Sequence, residues 1–224
     1  ETFMVSPGSL KVAQAGNPEW YFGGNGRSFM NWNLRQTLCK ARDYALGWEA
    51  YERGERAEPP GFDPIWDGFR AVFAGRLPVT VHTQIYQVDM AMLVMFPGKV
   101  HLLTVSEHSC LDAWKLGPVV RELEDPNSPH AAFWTIQGPR QYHFDSTARR
   151  CIGNANGWWK NGVRLLGINT DAPVVPQEEL TYQAAMACWY GWLPYPALRA
   201  ITNINAKSIG VYDCVGSVET GKQA

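Results

Sequence analysis

The stretch LLGINTDAP, residues 165–173, is a short apolar run that ends in a carboxylate, Asp171, and is stopped by Pro173. Continuous apolar runs of this kind, without alternating polar residues, are typical of parallel strands buried on both faces. A charge at the end of a buried strand costs free energy unless it is paired or bound to a metal ion. The stretch therefore predicts a parallel sheet, and it raises the question of which groups accompany Asp171.

Similar apolar runs recur along the chain and are followed by segments with helical periodicity. The sequence predicts strands over residues 9–13, 78–84, 99–108, 131–139 and 163–173. It predicts helices over 27–54, 62–75, 88–96, 111–123 and 177–191, one or two more within 194–210, and a mostly helical segment over 146–162. Five β/α units in this order favour an α/β fold, as either a doubly wound sheet or part of a (β/α)8 TIM-like barrel.

Composition excludes several classes of protein. The chain has 224 residues, 46% of them hydrophobic, and a formal net charge of -1. It can therefore bury a substantial core, but its charge gives no reason to expect nucleic acid or a membrane surface as a partner. No apolar run approaches the roughly 20 residues of a membrane span. The five cysteines are scattered and form no CxxC pair, so neither a zinc ribbon nor a disulfide framework is indicated.

Polar residues stand where the predicted strands end, which is where parallel α/β folds bind their ligands. The candidates are Lys11, His82, Glu107 with His108, the group Arg140, Tyr142 and His143, and Asp171. Imidazole and carboxylate groups on successive strand ends suit a divalent metal such as zinc. Taken singly, each has a simpler interpretation, such as a hydrogen-bonded core histidine, a surface lysine or a turn-forming aspartate. Because these residues stand together at successive strand ends, a metal site is an equally good interpretation of the group as a whole.

Several segments together resemble a known family. They are SLKVAQAGNPEWYFGGNGRS (9–28), LRQTLCKARDYALGWEAYERG (34–54), LPVTVHTQ (77–84), TVSEHSCLDAWKL (104–116), LLGINTDAPVVPQEEL (165–180) and ALRAITNINAKSIGVYDCVGSVETGKQA (197–224). Over nearly the whole chain they resemble the metal-dependent amidohydrolases, in particular the imidazolonepropionase-like branch. The last segment is the most specific, because it combines ITxNxAKxxG with GSxExGK.

The resemblance implies a fold, a metal and a set of roles. Residues 1–210 are expected to form the C-terminal part of the amidohydrolase barrel, from strand four to strand eight, and residues 211–224 to begin the return to a small flanking β-sandwich. His82, His108, Lys11 and Asp171 match metal-contacting positions, for one or two divalent ions with zinc expected first. Asp171 matches the general base. Arg140, Tyr142 and His143 follow barrel strand seven and are candidates for binding a substrate carboxylate or the developing oxyanion.

The chain also departs from the family. The His-x-His pair of barrel strand one is absent, and the match begins at about strand four. Five strands cannot close an eight-stranded barrel and leave open edges. We therefore expect another chain or segment to supply strands one to three, in an oligomer or a longer protein. The expected function is metal-dependent hydrolysis of an amide, peptide or cyclic amide bond in a small or peptide-like substrate. The alternative is a degenerate, non-catalytic subunit with a structural or assembly role.

Overall fold

Five parallel strands form the main sheet of the protein. The computed structural model describes residues 8–14, 26–83, 86, 104–107, 112–124 and 133–223, with only the backbone described for 104–107. The main sheet has the order β1-β2-β3-β4-β7, and a separate antiparallel hairpin joins β5 and β6. The strands are β1 Leu10–Ala13, β2 Val79–His82, β3 Thr104–Glu107, β4 Phe133–Gln137, β5 Tyr142–Asp145, β6 Arg150–Gly153 and β7 Leu166–Ile168.

Helices lie between the strands of the main sheet and after its last strand, β7. They are α1 Arg27–Glu52, α2 Pro64–Phe73, α3 Gly117–Val120, α4 Asn154–Lys160, α5 Leu180–Trp189, α6 Pro194–Ala200 and α7 Asn203–Ser208. Short 3-10 turns precede α3 at Ala113–Leu116 and α5 at Gln177–Glu179. None of the described helices is long and apolar enough to cross a membrane.

The predicted helix over 62–75 is confirmed together with its end signals. Helix α2 begins at Pro64, and the Asp63 carboxylate caps it by accepting a hydrogen bond of 2.9 Å from the Ile65 backbone N–H. Just after its end, Gly75 has a φ of 70°, a left-handed conformation that favours glycine. The helix predicted over 88–96 lies outside the described residues.

The main core lies on one face of the sheet. Val79 and Val81 alternate along β2 with Thr80 and His82, so the two pairs point to opposite faces. The valines belong to a buried cluster with Phe133 of β4 and with residues of helices α1, α2, α4, α5 and α6. Helices α1, α2, α4, α5 and α6 therefore pack on the valine side of the sheet.

A smaller core lies on the opposite face, near the end of the sheet. Trp134, Ile136 and Leu165 pack there with Ile204 of helix α7. The amide nitrogen of Asn205 donates a hydrogen bond of 2.7 Å to the Ile168 carbonyl. Glycine is needed at position 167, because a Cβ there would lie 2.2 Å from the Asn205 side-chain oxygen. Helix α7 is therefore fixed against β7.

The mostly helical prediction for 146–162 is wrong over its first half. Strands β5 and β6 pair there as a hairpin, with Asp145 opposite Arg150, and only Asn154–Lys160 is helical. Turn chemistry explains the difference: the Asp145 carboxylate accepts hydrogen bonds of 2.9 Å from the backbone N–H groups of Thr147 and Ala148. These bonds close a turn that the helical pattern did not anticipate.

The C-terminal region contains turns rather than strands among the described residues 211–223. The Val211 backbone N–H donates 2.9 Å to the Ala206 carbonyl, and the Gln223 N–H donates 2.8 Å to the Cys214 carbonyl. The division at residue 210, with a β-sandwich segment after it, stays a prediction.

Glu124 makes a pH-dependent contact at the start of β7. Its carboxylate accepts hydrogen bonds of 2.7 Å and 2.9 Å from the backbone N–H groups of Arg164 and Leu165. Burial outweighs these bonds and raises the pKa of the Glu124 carboxyl group to about 7. The folded state therefore holds the Glu124 proton more tightly than the unfolded chain does. This contribution to stability is complete below about pH 4 and is lost as the pH rises through about 7.

We expect Glu124→Gln to flatten the pH dependence of stability. Wild-type protein should lose roughly 2–3 kcal/mol of unfolding free energy between pH 5 and pH 8 through Glu124. The variant, which cannot ionise there, should lose correspondingly less. Urea unfolding across this pH range measures both, and Glu122→Gln, an exposed neighbour, is the matched control. Parallel stability curves for wild type and Glu124→Gln would contradict the prediction.

Candidate functional site

Buried polar side chains line the carboxyl edge of the main sheet. Gln14, His82, Thr83, Gln137 and Thr170 follow or end the strands, and each is at most 7% exposed. Buried polar side chains are uncommon, and each needs a hydrogen-bond partner. Hydrophobic packing therefore does not explain a row of them along one edge of the sheet. In parallel α/β proteins this edge is where ligands bind.

His82 ends β2 on the face opposite to the main core. It is 6% exposed and pairs in register with Ala13 of β1 and Glu107 of β3. Glu107 in turn pairs with Ile136, which belongs to the smaller core. The sequence prediction that His82 stands at a strand end is confirmed, and its role as a metal ligand stays a prediction.

Lys11 does not stand at a strand end, which corrects the sequence-based placement. It lies inside β1, paired in register with Thr80, two residues before the level of His82. Because side chains alternate along a strand, Lys11 shares the face of Ala13 and His82. Its flexible four-carbon stem can extend along that face toward the edge. The proposed metal-bridging role of Lys11 stays a prediction.

Asp171 follows β7 in a tight turn. Its carbonyl accepts a hydrogen bond of 2.8 Å from the Val174 N–H, as expected for a turn residue. Its φ is 52°, and Arg149 is the other residue in the described ranges, glycines aside, with a positive φ. Such a conformation is unfavourable for most residues and tolerated by Asp and Asn. The turn interpretation is thus correct for the backbone, and the roles of the carboxylate as metal contact and general base stay predictions.

The described residues do not by themselves form a metal centre. Within the ranges that the structure describes, no group of three or more His, Cys, Asp or Glu side chains lies close enough to hold a metal ion. His108, the second predicted imidazole ligand, lies outside the described residues. His82 and Asp171 stand at the same sheet edge, on β2 and after β7, with β3 and β4 between them.

The predicted substrate-binding residues lie together in a pocket. Arg140 is in the turn after β4, while Tyr142 and His143 belong to β5. All three line a cavity of about 700 Å³ between the hairpin and helix α5. The Tyr142 ring stacks on Tyr190 at a centroid distance of 4.7 Å. The structure therefore brings these three residues to one site, as the sequence suggested, without testing what they bind.

A network of buried amides holds this turn, and sequence reasoning missed it. Gln137 and Asn154 each donate a hydrogen bond of 2.8 Å from the side-chain amide to the Arg140 carbonyl. The Gln141 amide nitrogen donates 2.9 Å to the Gly138 carbonyl and 3.3 Å to the Gln183 side-chain oxygen. All four amide side chains are at most 6% exposed. One signal was available: Gln137 is a polar residue directly ending an apolar strand.

Comparison with known proteins identifies the fold. No protein-family model and no curated protein sequence matches the chain. It is similar to the crystal structure of an amidohydrolase from Thermotoga maritima MSB8, with a TM-score of 0.80 and 23% identity over 99% of this chain and 56% of that one. It is also similar to a putative prolidase from Bifidobacterium longum, with a TM-score of 0.50 and 22% identity over 71% of this chain and 42% of that one.

These likenesses establish the fold and its extent. At 23% and 22% identity they show that the chain shares the α/β architecture of these proteins. The chain spans 56% of the length of the Thermotoga protein and 42% of the Bifidobacterium protein. The amidohydrolase-type fold predicted from the sequence is confirmed at this level, and the imidazolonepropionase-like branch stays a prediction.

Proposed function

We propose that this chain is part of a metal-dependent hydrolase that cleaves a carbon–nitrogen bond in an amide, a peptide or a cyclic amide. One observation carries the proposal: the chain shares its fold over 99% of its length with a protein described as an amidohydrolase. Two further features support it. His82 and Asp171 stand at the carboxyl edge of the sheet, and the pocket beside this edge carries Arg140 and His143.

The residues at this edge have the donor chemistry of a divalent metal site. His82 supplies an imidazole and Asp171 a carboxylate, both of which zinc accepts. In the proposed set His108 and Lys11 complete the ligands of one or two ions. Zinc, when bound, lowers the pKa of a water molecule and polarises the substrate carbonyl group.

The protein's own side chains would then carry out proton transfer and substrate binding. Asp171 takes a proton from the attacking water and passes it to the leaving nitrogen, which is general acid–base catalysis. Its left-handed backbone conformation, at a φ of 52°, holds the carboxylate in the turn. Arg140, Tyr142 and His143 bind the substrate carboxylate or the developing oxyanion through charge and hydrogen bonds.

We further propose that another chain or segment supplies the strands that close the barrel. Among the described strands β1 and β7 are the edges of the sheet. Beside β7, helices α5 and α6 expose large apolar side chains, with Trp189 at 82% and Tyr195 at 71%. Beside β1, helix α1 exposes Trp32 at 58%. A set of β/α units added between the two edges would cover both surfaces, since each new helix packs on the same face as its neighbours.

Metal analysis of the purified, full-length protein tests the hydrolase proposal. We expect one or two equivalents of a divalent metal per barrel, and loss of that metal in His82→Ala. His143→Ala, which removes an imidazole assigned to substrate binding, should keep the metal and is the matched control. Metal-free protein with intact secondary structure would overturn the proposal and favour the non-catalytic alternative.

A further inference from the structure

The pocket between the β5–β6 hairpin and helix α5 has the features of a small-molecule site. Its volume of about 700 Å³ lies within the range usual for such sites. Typical ligand sites are mostly apolar with a few convergent polar groups, and this pocket has both parts. The apolar and the polar part together define the chemistry of the ligand.

Aromatic side chains form the apolar wall. Tyr142 and Phe144 come from β5, and Tyr182 and Met186 from α5. The three rings are 43%, 57% and 55% exposed, so they are only partly covered by the protein itself. The Tyr142 ring also stacks on the Tyr190 ring, with 28° between the ring planes, and this contact holds it in place. A flat apolar group in the pocket would cover these rings and gain from aromatic stacking.

The polar part of the pocket favours an anion. Arg140 lines it, and among the described residues no carboxylate pairs with its guanidinium group. The lining also includes His143 and, within the ranges that the structure describes, no acidic residue. Gln183 lines the same pocket; its side-chain oxygen accepts from Gln141, which leaves its amide nitrogen to donate to a ligand. A guanidinium group with neighbouring neutral donors is an arrangement that binds a carboxylate.

The pocket is also preorganised. The Arg140 carbonyl is held by hydrogen bonds of 2.8 Å from both Gln137 and Asn154. Because both amides are fully buried, the turn that carries Arg140 is fixed before any ligand arrives. Less conformational entropy is then lost on binding, which raises affinity.

We propose that this pocket binds an aromatic monocarboxylate, with the ring against Tyr142 and Tyr182 and the carboxylate at Arg140 and Gln183. As the class of substrate or product, this assignment rests on the proposed hydrolase function. As a binding site it does not, because none of the contacts involves the metal ligands. Binding is therefore tested with a chelator present, so that its failure and the failure of the hydrolase proposal are separate results.

Three related compounds test the chemistry on the unmodified full chain in EDTA by isothermal titration calorimetry. They are 3-phenylpropionate, 3-phenylpropanamide, which lacks the charge, and propionate, which lacks the ring. We expect 3-phenylpropionate to bind at least tenfold more tightly than either of the others, since a hydrogen-bonded charge and a buried ring are each worth at least that factor. Equal binding of acid and amide, or no binding of the acid at 10 mM (about the weakest affinity such a titration detects), would overturn the proposal.

A pair of arginine variants tests the location. Arg140→Gln should weaken binding of 3-phenylpropionate about tenfold and leave 3-phenylpropanamide unchanged. Arg150→Gln removes an exposed arginine of the same hairpin that does not line the pocket, and it should bind like wild type. If Arg150→Gln weakens binding and Arg140→Gln does not, the carboxylate site is not in this pocket.

Discussion

Replacing Asp171 with asparagine is expected to lower kcat/KM for the proposed hydrolytic reaction by about 10³-fold, or roughly 4 kcal/mol of transition-state stabilisation. The reason is that asparagine keeps the size of the side chain but cannot take a proton from water. Asparagine is also one of the few residues that tolerate the φ of 52° at this position, so the turn should survive. The measurement uses excess zinc and a panel of dipeptides, N-acetyl amino acids and cyclic amides, so that weaker metal binding does not account for the loss.

The control for Asp171 is an aspartate remote from the strand ends. Asp213 is exposed and lies in the C-terminal turns, so Asp213→Asn should leave kcat/KM within about twofold of wild type. If Asp171→Asn also stays within that range while the protein turns over a substrate, Asp171 is not the general base and acts as a turn residue only.

Trp158→Ala should cost about 3–5 kcal/mol of unfolding free energy, the largest effect on stability that we expect. Trp158 lies in helix α4, is 1% exposed and belongs to the main core that joins the helices to the sheet. Removing the indole leaves a cavity in this core, which helix α4 cannot fill without shifting away from β7. Chemical denaturation followed by circular dichroism measures the difference.

Trp189→Ala is the matched control because it deletes the same side chain from an exposed site. Trp189 is 82% exposed at the end of α5, so the loss in the isolated chain should be within about 0.5 kcal/mol. In a complex with the proposed closing segment the same variant should be more costly, since Trp189 would then be covered. Equal destabilisation by Trp158→Ala and Trp189→Ala in the isolated chain would show that the core is not organised as described.

The strands and long helices were predictable because their signals are local. The apolar run at 165–168, the Pro64 start of α2 and its Asp63 cap each act within a few residues, and all are confirmed. The hairpin was not predictable from periodicity, because it depends on side-chain bonds from Asp145 to the backbone of its own turn. The sequence also left open whether helices cover one face or both, since that depends on contacts between distant segments.

The candidate site was predictable to a smaller extent. The positions of His82 and Asp171 at strand ends were predictable from the apolar runs before them, and the position of Arg140 and His143 from following β4, while their roles stay predictions. The end of β1 at Ala13 was predicted, but Lys11 was counted among the strand-end residues although it lies two residues before that end. The buried amides were missed, because the sequence alone does not distinguish a glutamine or asparagine that faces solvent from one that is buried and bonds to a turn.

The contact between Asn205 and β7 has a consequence for how any further strand could join the sheet. The Leu165 carbonyl and the Asn169 N–H bond to β4, so the backbone N–H and carbonyl groups of Leu166 and Ile168 point away from β4 at the edge of the sheet. The Ile168 carbonyl already accepts a hydrogen bond from Asn205, so a strand added at this edge would find that acceptor taken. Its remaining backbone partners there would be the N–H and carbonyl of Leu166 and the N–H of Ile168. Helix α7 therefore limits how much of the β7 backbone a further strand can pair with.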